Sequence, residues 1–178
     1  ECNNNTGVFF DIDKETWLID CDDYRCNYNT IAVVCEGLII VDTFGLEAPR
    51  DIPWLPAIYD AAHGFGLPNL GKRGIAEVIS FSFTKNVTGT EGGMILTDDD
   101  DLADTAKELI RMSGRMSEIN ALITLESIKT YYRFQELNHK NNILSYQKYL
   151  HLPYTLQKNI STHNNSVFAI KFESQHIR

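Results

Sequence analysis

Cysteine is scarce in this sequence, and none of it follows a metal-binding pattern. The 178 residues include four cysteines and no Cys-x-x-Cys pair; the four are Cys2, Cys21, Cys26 and Cys35. Zinc sites and disulfide frameworks need a more regular set of closely spaced cysteines. We therefore expect no metal site, and we expect free thiols that pack as small apolar groups in a reducing compartment.

Positive charge is also in short supply. The 24 acidic side chains outnumber the 16 basic ones, which gives a formal net charge of −8. A chain of this charge is repelled by nucleic acid, and no basic stripe with interleaved aromatic residues is present to contact phosphates. We expect no nucleic-acid partner.

Long hydrophobic runs are missing as well. The run from Gly37 to Val41 has the length of a strand and is far too short to cross a bilayer. Nothing in the chain matches a Walker or dinucleotide-binding fingerprint. We expect a soluble, cytoplasmic protein with no membrane partner and no fold of the nucleotide-binding type.

What the first half does contain is a series of short apolar runs separated by turn residues. Each run is predicted to be a strand; they are Gly7–Phe10, Ile31–Cys35, Leu38–Val41, Ala57–Tyr59, Val78–Phe83 and Met94–Leu96. Continuous rather than alternating hydrophobicity is typical of strands covered on both faces. The pattern predicts an α/β fold with a sheet between helical layers.

Helical patterns dominate the second half. Caps at Thr97 to Asp100 predict a helix that ends at Gly114, and a much longer helix is predicted from Ser117 to about Leu150. Alternation over residues 166–173 predicts the first strand of a second, smaller lobe. We expect residues 1–130 to be part of a large α/β domain. Residues 131–178 are expected to hold the linking helix and the beginning of a small domain.

Two side chains at predicted strand ends suggest a cofactor. Asp60 closes the strand Ala57–Tyr59, and Lys85 follows the strand Val78–Phe83. Pyridoxal phosphate needs a carboxylate beside its ring nitrogen and a lysine that bonds to its aldehyde carbon. In open α/β sheets, ligands lie outside the carboxyl ends of the strands, where both residues are expected.

Neighbouring residues are suited to the rest of such a cofactor. His63 can donate a hydrogen bond to the ring's 3-oxygen, and Ser80 and Thr84 offer hydroxyl groups to a phosphate. The glycines of Thr88–Gly93 permit close approach of the backbone to a ligand. Taken singly, each feature has a structural explanation: a helix cap for Asp60, a satisfied histidine for His63 and a hairpin for the glycine-rich turn.

Together these residues resemble the DegT/DnrJ/EryC1/StrS family of sugar aminotransferases, which are fold-type I pyridoxal phosphate enzymes. The resemblance is carried by Asp60–His63, by Ser80–Lys85 and by Glu91–Gly93. Weaker similarities extend it over most of the chain; they are Val8–Asp13, Asp42–Gly45 and Arg115–Glu118. The resemblance implies a large domain with a mixed, mostly parallel sheet, followed by a smaller α+β domain.

The same resemblance implies a role for each residue. Asp60 would pair with the ring nitrogen, His63 would lie beside the ring, Ser80 would bind the phosphate, and Lys85 would form the imine. Lys85 would also be the catalytic base that moves a proton between substrate and cofactor, a role for which dehydratase relatives use histidine. Arg115 is the one candidate for contacting substrate phosphates, although an exposed residue at the start of a helix fits it equally well.

By resemblance, the reaction is a ping-pong transfer of an amino group from glutamate or glutamine, by way of pyridoxamine phosphate, to a keto group of a nucleotide-linked sugar. A homodimer with shared active sites is implied. A keto-cyclitol acceptor, or a non-catalytic binding or regulatory protein with this fold, are the alternatives.

Several parts of the family pattern are missing from the sequence. The chain begins at Glu1, downstream of a phosphate-binding loop and of an aromatic residue that stacks on the cofactor. A helix is missing near residues 51–56, and a loop with an asparagine is missing at 114–115. Two explanations follow: segments of a longer protein are omitted, or the chain is a decayed relative of the family. The intact core motif favours omission.

Overall fold

The computed structural model describes residues 7–31, 33, 35–50, 52, 55–149, 154–158 and 162–172. Three α-helices and six strands follow one another along these residues. They are α1 (Cys21–Ile31), β1 (Leu38–Val41), β2 (Ala57–Asp60), β3 (Ala76–Ser80), β4 (Gly93–Leu96), α2 (Asp100–Ser113), α3 (Glu118–Tyr149), β5 (Tyr154–Leu156) and β6 (Ile170–Phe172). No helix in this part of the chain combines the length and the apolar character that a bilayer crossing requires.

The main sheet is mixed and mostly parallel, as predicted. Its strand order is β1-β2-β3-β4; the first three strands are parallel, and β4 pairs antiparallel with β3. A separate antiparallel pair, β5 and β6, follows the long helix. The architecture is the predicted α/β one.

Burial alternates along β1 and β2, so the two faces of the sheet differ. One face packs against α1 and the segment after β1 in a cluster that includes Tyr24, Ile40 and Tyr59. A second cluster, with Phe81 and Tyr131 at its centre, packs the far end of the sheet against α3. On the opposite face, four aliphatic side chains are exposed; they are Ile39, Val41, Val78 and Ile95.

Three strand predictions need correction. Residues 7–10 form no strand, and Phe9 is 95% exposed, because no neighbouring strand in the described residues pairs with it. The strand predicted over Ile31–Cys35 is also wrong where the structure describes it, since Ile31 ends α1 and Cys35 lies in a loop; residues 32 and 34 lie outside the described residues. The missed helix begins where Asp20 Oδ1 accepts hydrogen bonds from two backbone N–H groups, those of Asp22 (2.9 Å) and Asp23 (3.1 Å).

The third strand, β3, lies nearer the N-terminus than predicted. β3 spans Ala76–Ser80 rather than Val78–Phe83, because the chain turns at Phe81. Phe81 N donates to Gly92 O at 2.9 Å, and Phe81 O accepts from Gly89 N at 2.8 Å. The residues after Ser80 therefore form a loop that folds back over the end of the strand.

The predicted helices are confirmed. Asp99 caps α2 by accepting a hydrogen bond from Leu102 N, and Gly114 follows its end with φ 125°. Ser117 Oγ accepts a hydrogen bond from Asn120 N at the start of α3. Of the strand predicted over residues 166–173, Ile170–Phe172 is confirmed, and residue 173 lies outside the described residues. The strand starts later than predicted, because Asn164 and Ser166 form a hydrogen-bonded turn before it.

Candidate functional site

The carboxyl ends of the parallel strands bring two predicted site residues to one edge of the sheet. Asp60 is the last residue of β2 and pairs in register with Val78 of β3. Ser80 lies two residues beyond Val78, so Asp60 and Ser80 point to the same face of the sheet. Both side chains are partly buried.

Asp60 and Lys85 both lie near the ring of His63, as the pKa of that ring indicates. The pKa of His63 lies below its ordinary value, first because the ring is partly buried, and second because the positive charge of Lys85 is near. The carboxylate of Asp60 acts in the opposite direction on the same ring. Both charged side chains therefore lie near enough to His63 to act on its ring, and the lowered pKa favours the neutral imidazole.

Within the described residues, neither Asp60 nor Lys85 forms an ion pair. Asp60 Oδ1 accepts a hydrogen bond from Ala62 N at 3.0 Å, which orients the carboxylate. The side chain of Lys85 is partly buried, yet within the described residues its amine has no hydrogen bond and no salt bridge. A carboxylate and an amine thus lie near the same histidine, and within the described residues neither forms an ion pair.

The loop that carries Lys85 is fixed at both ends. Lys85 N donates to Ser82 O at 3.0 Å, and Thr88 N donates to Ser127 Oγ of α3 at 3.0 Å. Ser80 Oγ accepts from Ser82 N at 3.3 Å. The second hydroxyl predicted for a phosphate, that of Thr84, lies on the exposed side of this loop.

The glycines after Lys85 have a packing role, and the predicted approach of a ligand to their backbone remains a prediction. A Cβ at Gly89 would lie 2.2 Å from Thr124 Oγ1 of α3. A Cβ at Gly92, where φ is 121°, would lie 2.8 Å from Met116 Sδ. These glycines let the loop lie directly against the start of α3.

Arg115 is not brought to this group by any contact. The side chain is exposed, and no hydrogen bond or ion pair joins it to the described residues. It precedes Met116, which packs on the turn at Gly92. Its proposed contact with substrate remains a prediction.

Sequence reasoning missed an aromatic neighbour of the site. Phe44 follows β1 with a left-handed φ of 59°. Its ring centroid lies 6.4 Å from that of His63 and 6.0 Å from that of Trp17. No sequence signal marks a positive φ at phenylalanine, so only the following Gly45, with φ 88°, indicates that the chain turns sharply here.

Sequence comparison places the chain among known proteins. The model of the DegT/DnrJ/EryC1/StrS aminotransferase family matches residues 2–176. An uncharacterised protein of Methanocaldococcus jannaschii, MJ1066, is 34% identical over 152 residues, which cover 79% of this chain and 38% of that protein.

Solved structures agree with the sequence match. DesI, crystallised in the presence of its TDP-sugar product, is 24% identical with a TM-score of 0.78, covering 94% of this chain and 49% of DesI. PseC of Helicobacter pylori, an aminotransferase involved in the biosynthesis of pseudoaminic acid, is 22% identical with a TM-score of 0.77, covering 97% of this chain and 53% of PseC.

The chain therefore spans about half the length of these solved structures and 38% of MJ1066. At these identities the structures establish the fold, which is that of the fold-type I aminotransferases. The match over nearly the whole sequence establishes the family: the chain belongs to the DegT/DnrJ/EryC1/StrS aminotransferases.

Proposed function

We propose that the protein is a pyridoxal phosphate-dependent aminotransferase that acts on a keto group of a nucleotide-linked sugar. The observation that carries the proposal is that Lys85 and Asp60 both lie near the ring of His63. Asp60 stands at the carboxyl end of β2. Family membership supports the chemistry. The TDP-sugar product described for DesI supports the substrate class.

The residues present fit the cofactor. A carboxylate, a neutral imidazole and an amine without a partner in the described residues lie together, with the hydroxyl of Ser80 on the same face as Asp60. Asp60 would hold the protonated ring nitrogen, His63 would donate to the 3-oxygen, Ser80 would contact the phosphate, and Lys85 would hold the aldehyde carbon. When bound, the cofactor supplies an electron sink and carries the amino group.

The protein's own contribution is proton transfer and positioning. Lys85, once displaced by the amino donor, would act as a base that takes a proton from the substrate carbon and delivers it to the cofactor carbon C4′. The lowered pKa of His63 favours the neutral imidazole, which offers one N–H and one acceptor nitrogen, with the tautomer set by its neighbours.

Several finer points belong to this proposal. We infer glutamate or glutamine as the donor, Arg115 as a contact for substrate phosphates, a homodimer with shared active sites, and a cytoplasmic location. We also keep the division into residues 1–130 of a large domain and 131–178 of a linking helix with the beginning of a small domain. Family membership is what supports these points.

The role of Lys85 is tested by visible absorbance. Full-length protein mixed with pyridoxal phosphate is expected to develop the absorbance band of lysine-bound cofactor, and Lys85→Ala is expected to abolish it. Lys107→Ala is the matched control, because Lys107 is exposed and pairs with Asp104 on α2. A band of full intensity in the Lys85 variant would contradict the proposed site.

The acceptor is tested with a substrate panel. Amine transfer from glutamate and glutamine is measured to keto-sugar nucleotides and to keto-inositols. We expect turnover with a nucleotide-linked sugar. Turnover with inositols alone would mean that the acceptor is a keto-cyclitol rather than a nucleotide-linked sugar. Bound cofactor without any turnover would favour a binding or regulatory protein.

A further inference from the structure

The segment that follows β5 packs on both loops of the candidate site. Residues 162–166 lie against the loop after β1. Leu46 and His163 form an isolated antiparallel β-bridge, and Glu47 N donates to Thr162 O at 3.3 Å. Asn164 N donates to Gly45 O at 2.9 Å. A stretch from the end of the chain is thereby fixed to the strand-end loops that come far earlier in the sequence.

Asn164 links this segment to the backbone of the site histidine. Its side-chain amide nitrogen donates to His63 O and, at 2.9 Å, to Phe65 O. Its side-chain oxygen accepts from Ser166 N at 2.9 Å. Asn164 is 9% exposed, so a nearly buried side chain uses both of its amide hydrogens on the two carbonyls that flank Gly64.

Ser166 strengthens the same contact from the next turn. Its hydroxyl donates to Phe44 O at 3.2 Å and lies 3.5 Å from His63 O. Gly45 leaves room for both residues, because a Cβ there would lie 2.1 Å from Asn164 Oδ1 and 2.3 Å from Ser166 Oγ. The loops that carry Phe44 and His63 are joined through Asn164 and Ser166.

We propose that Asn164 is a positioning residue for His63, assisted by Ser166. Two hydrogen bonds from one planar amide fix the carbonyls of residues 63 and 65, and this sets the direction in which the His63 side chain leaves the backbone. The ring is thereby kept beside Phe44 and within reach of Lys85 and Asp60. The inference rests on the proposed function, since it assigns His63 a place beside the cofactor.

The chain offers a matched control in Gln157. Like Asn164, Gln157 is a buried amide from the C-terminal part that donates to two backbone carbonyls, those of Thr16 (2.7 Å) and Thr43 (3.0 Å). It makes no hydrogen bond to His63. Asn164→Leu and Gln157→Leu therefore remove the same kind of interaction, but only the first removes it from the site histidine.

The experiment measures the ring pKa of His63 by NMR in cofactor-free, full-length protein, together with the Kd for pyridoxal phosphate. In Asn164→Leu we expect the pKa to rise toward its ordinary value, because a looser ring gains solvent while Lys85 and Asp60 remain. We expect the Kd to rise roughly tenfold, as for the loss of a hydrogen bond. In Gln157→Leu both quantities should stay at their wild-type values.

Ser166→Ala tests the same contact more gently and decides the matter should Asn164→Leu not fold. A smaller change in the same direction supports the proposal. An unchanged His63 pKa and Kd in a folded Asn164→Leu variant, or in Ser166→Ala where that variant decides, would overturn it, as would equal changes in Gln157→Leu. Because the pKa is read without cofactor, failure of wild-type protein to bind pyridoxal phosphate would refute the proposed function and leave the test of Asn164 intact.

Discussion

Two groups of charged residues lie on the same sheet, and they differ in how their charges are matched. Around Arg73, every charge has a partner: the guanidinium donates to both oxygens of Asp42, at 2.8 and 2.7 Å, and to Glu77 Oε2, at 2.6 and 3.1 Å. The three side chains are at most 1% exposed. Around His63, by contrast, Asp60 and Lys85 are partly buried and form no ion pair within the described residues.

The surroundings of Arg73 complete the pairing. Glu77 Oε1 accepts from the backbone N–H groups of Lys72 and Arg73, each at 2.8 Å, and Asp42 Oδ1 accepts from Ala48 N at 2.9 Å. The guanidinium also lies 4.6 Å from the centroid of the Tyr59 ring. Burial alone would lower the pKa of Arg73, but the hydrogen bonds and charges of Asp42 and Glu77 outweigh it and raise the pKa above its ordinary value.

The difference in charge pairing indicates a structural role for the Arg73 group and a binding role for the His63 group. A charge that leaves water must be paired and hydrogen-bonded, or the free energy of unfolding falls by several kcal/mol. The Arg73 group meets that condition and connects the end of β1 to β3. The site group leaves its charges unmatched at the sheet edge, where solvent or a ligand can reach them, which is the arrangement that binding and catalysis require.

The largest expected effect comes from breaking the matched group. Arg73→Ala leaves Asp42 and Glu77 buried without their cation, and we expect the free energy of unfolding to fall by about 3–5 kcal/mol. Urea denaturation measures it. Arg25→Ala is the control, because Arg25 forms an exposed pair with Asp22 on α1, and such pairs contribute about 0–1 kcal/mol. A loss in Arg73→Ala no larger than in the control would mean that the buried pairing does not stabilise the fold.

A much smaller effect on stability is expected from the unmatched group. Asp60→Asn keeps an oxygen that can accept from Ala62 N and removes a charge that pairs with no cation in the described residues. We expect the free energy of unfolding to change by less than about 0.5 kcal/mol. The same variant should bind pyridoxal phosphate more weakly, because the ring nitrogen loses its carboxylate. Destabilisation as large as that of Arg73→Ala would remove the distinction between the two groups.

Sequence reasoning predicted the parts of this molecule that depend on local pattern. The predicted end of β2 located Asp60, and the caps at Asp99 and Gly114 located α2. Ser80 was expected inside a strand over Val78–Phe83, whereas it is the last residue of β3. The resemblance assigned Lys85 its role. Helix α1 was missed because its sequence, CDDYRCNYNTI, is rich in residues with modest helix propensity, and its start depends on the side-chain cap at Asp20.

Contacts between distant parts of the chain could not be predicted in the same way. Asn164 meets His63 across 101 positions, and Arg73 meets Asp42 across 31. Both contacts depend on how the sheet and its loops pack, and a lone asparagine or arginine carries no sign of such a partner. The glycines of the Lys85 loop are predicted to allow close approach of a ligand, and the structure adds a contact that the sequence did not indicate: two of them leave room for Thr124 and Met116.

The most direct test of the account is to locate the covalent cofactor. Full-length protein is incubated with pyridoxal phosphate and reduced with borohydride, which makes the lysine bond permanent, and the modified peptide is identified by mass spectrometry. We expect one dominant pyridoxal phosphate adduct, on Lys85. A dominant adduct on another lysine, or modification spread evenly over exposed lysines, would contradict it.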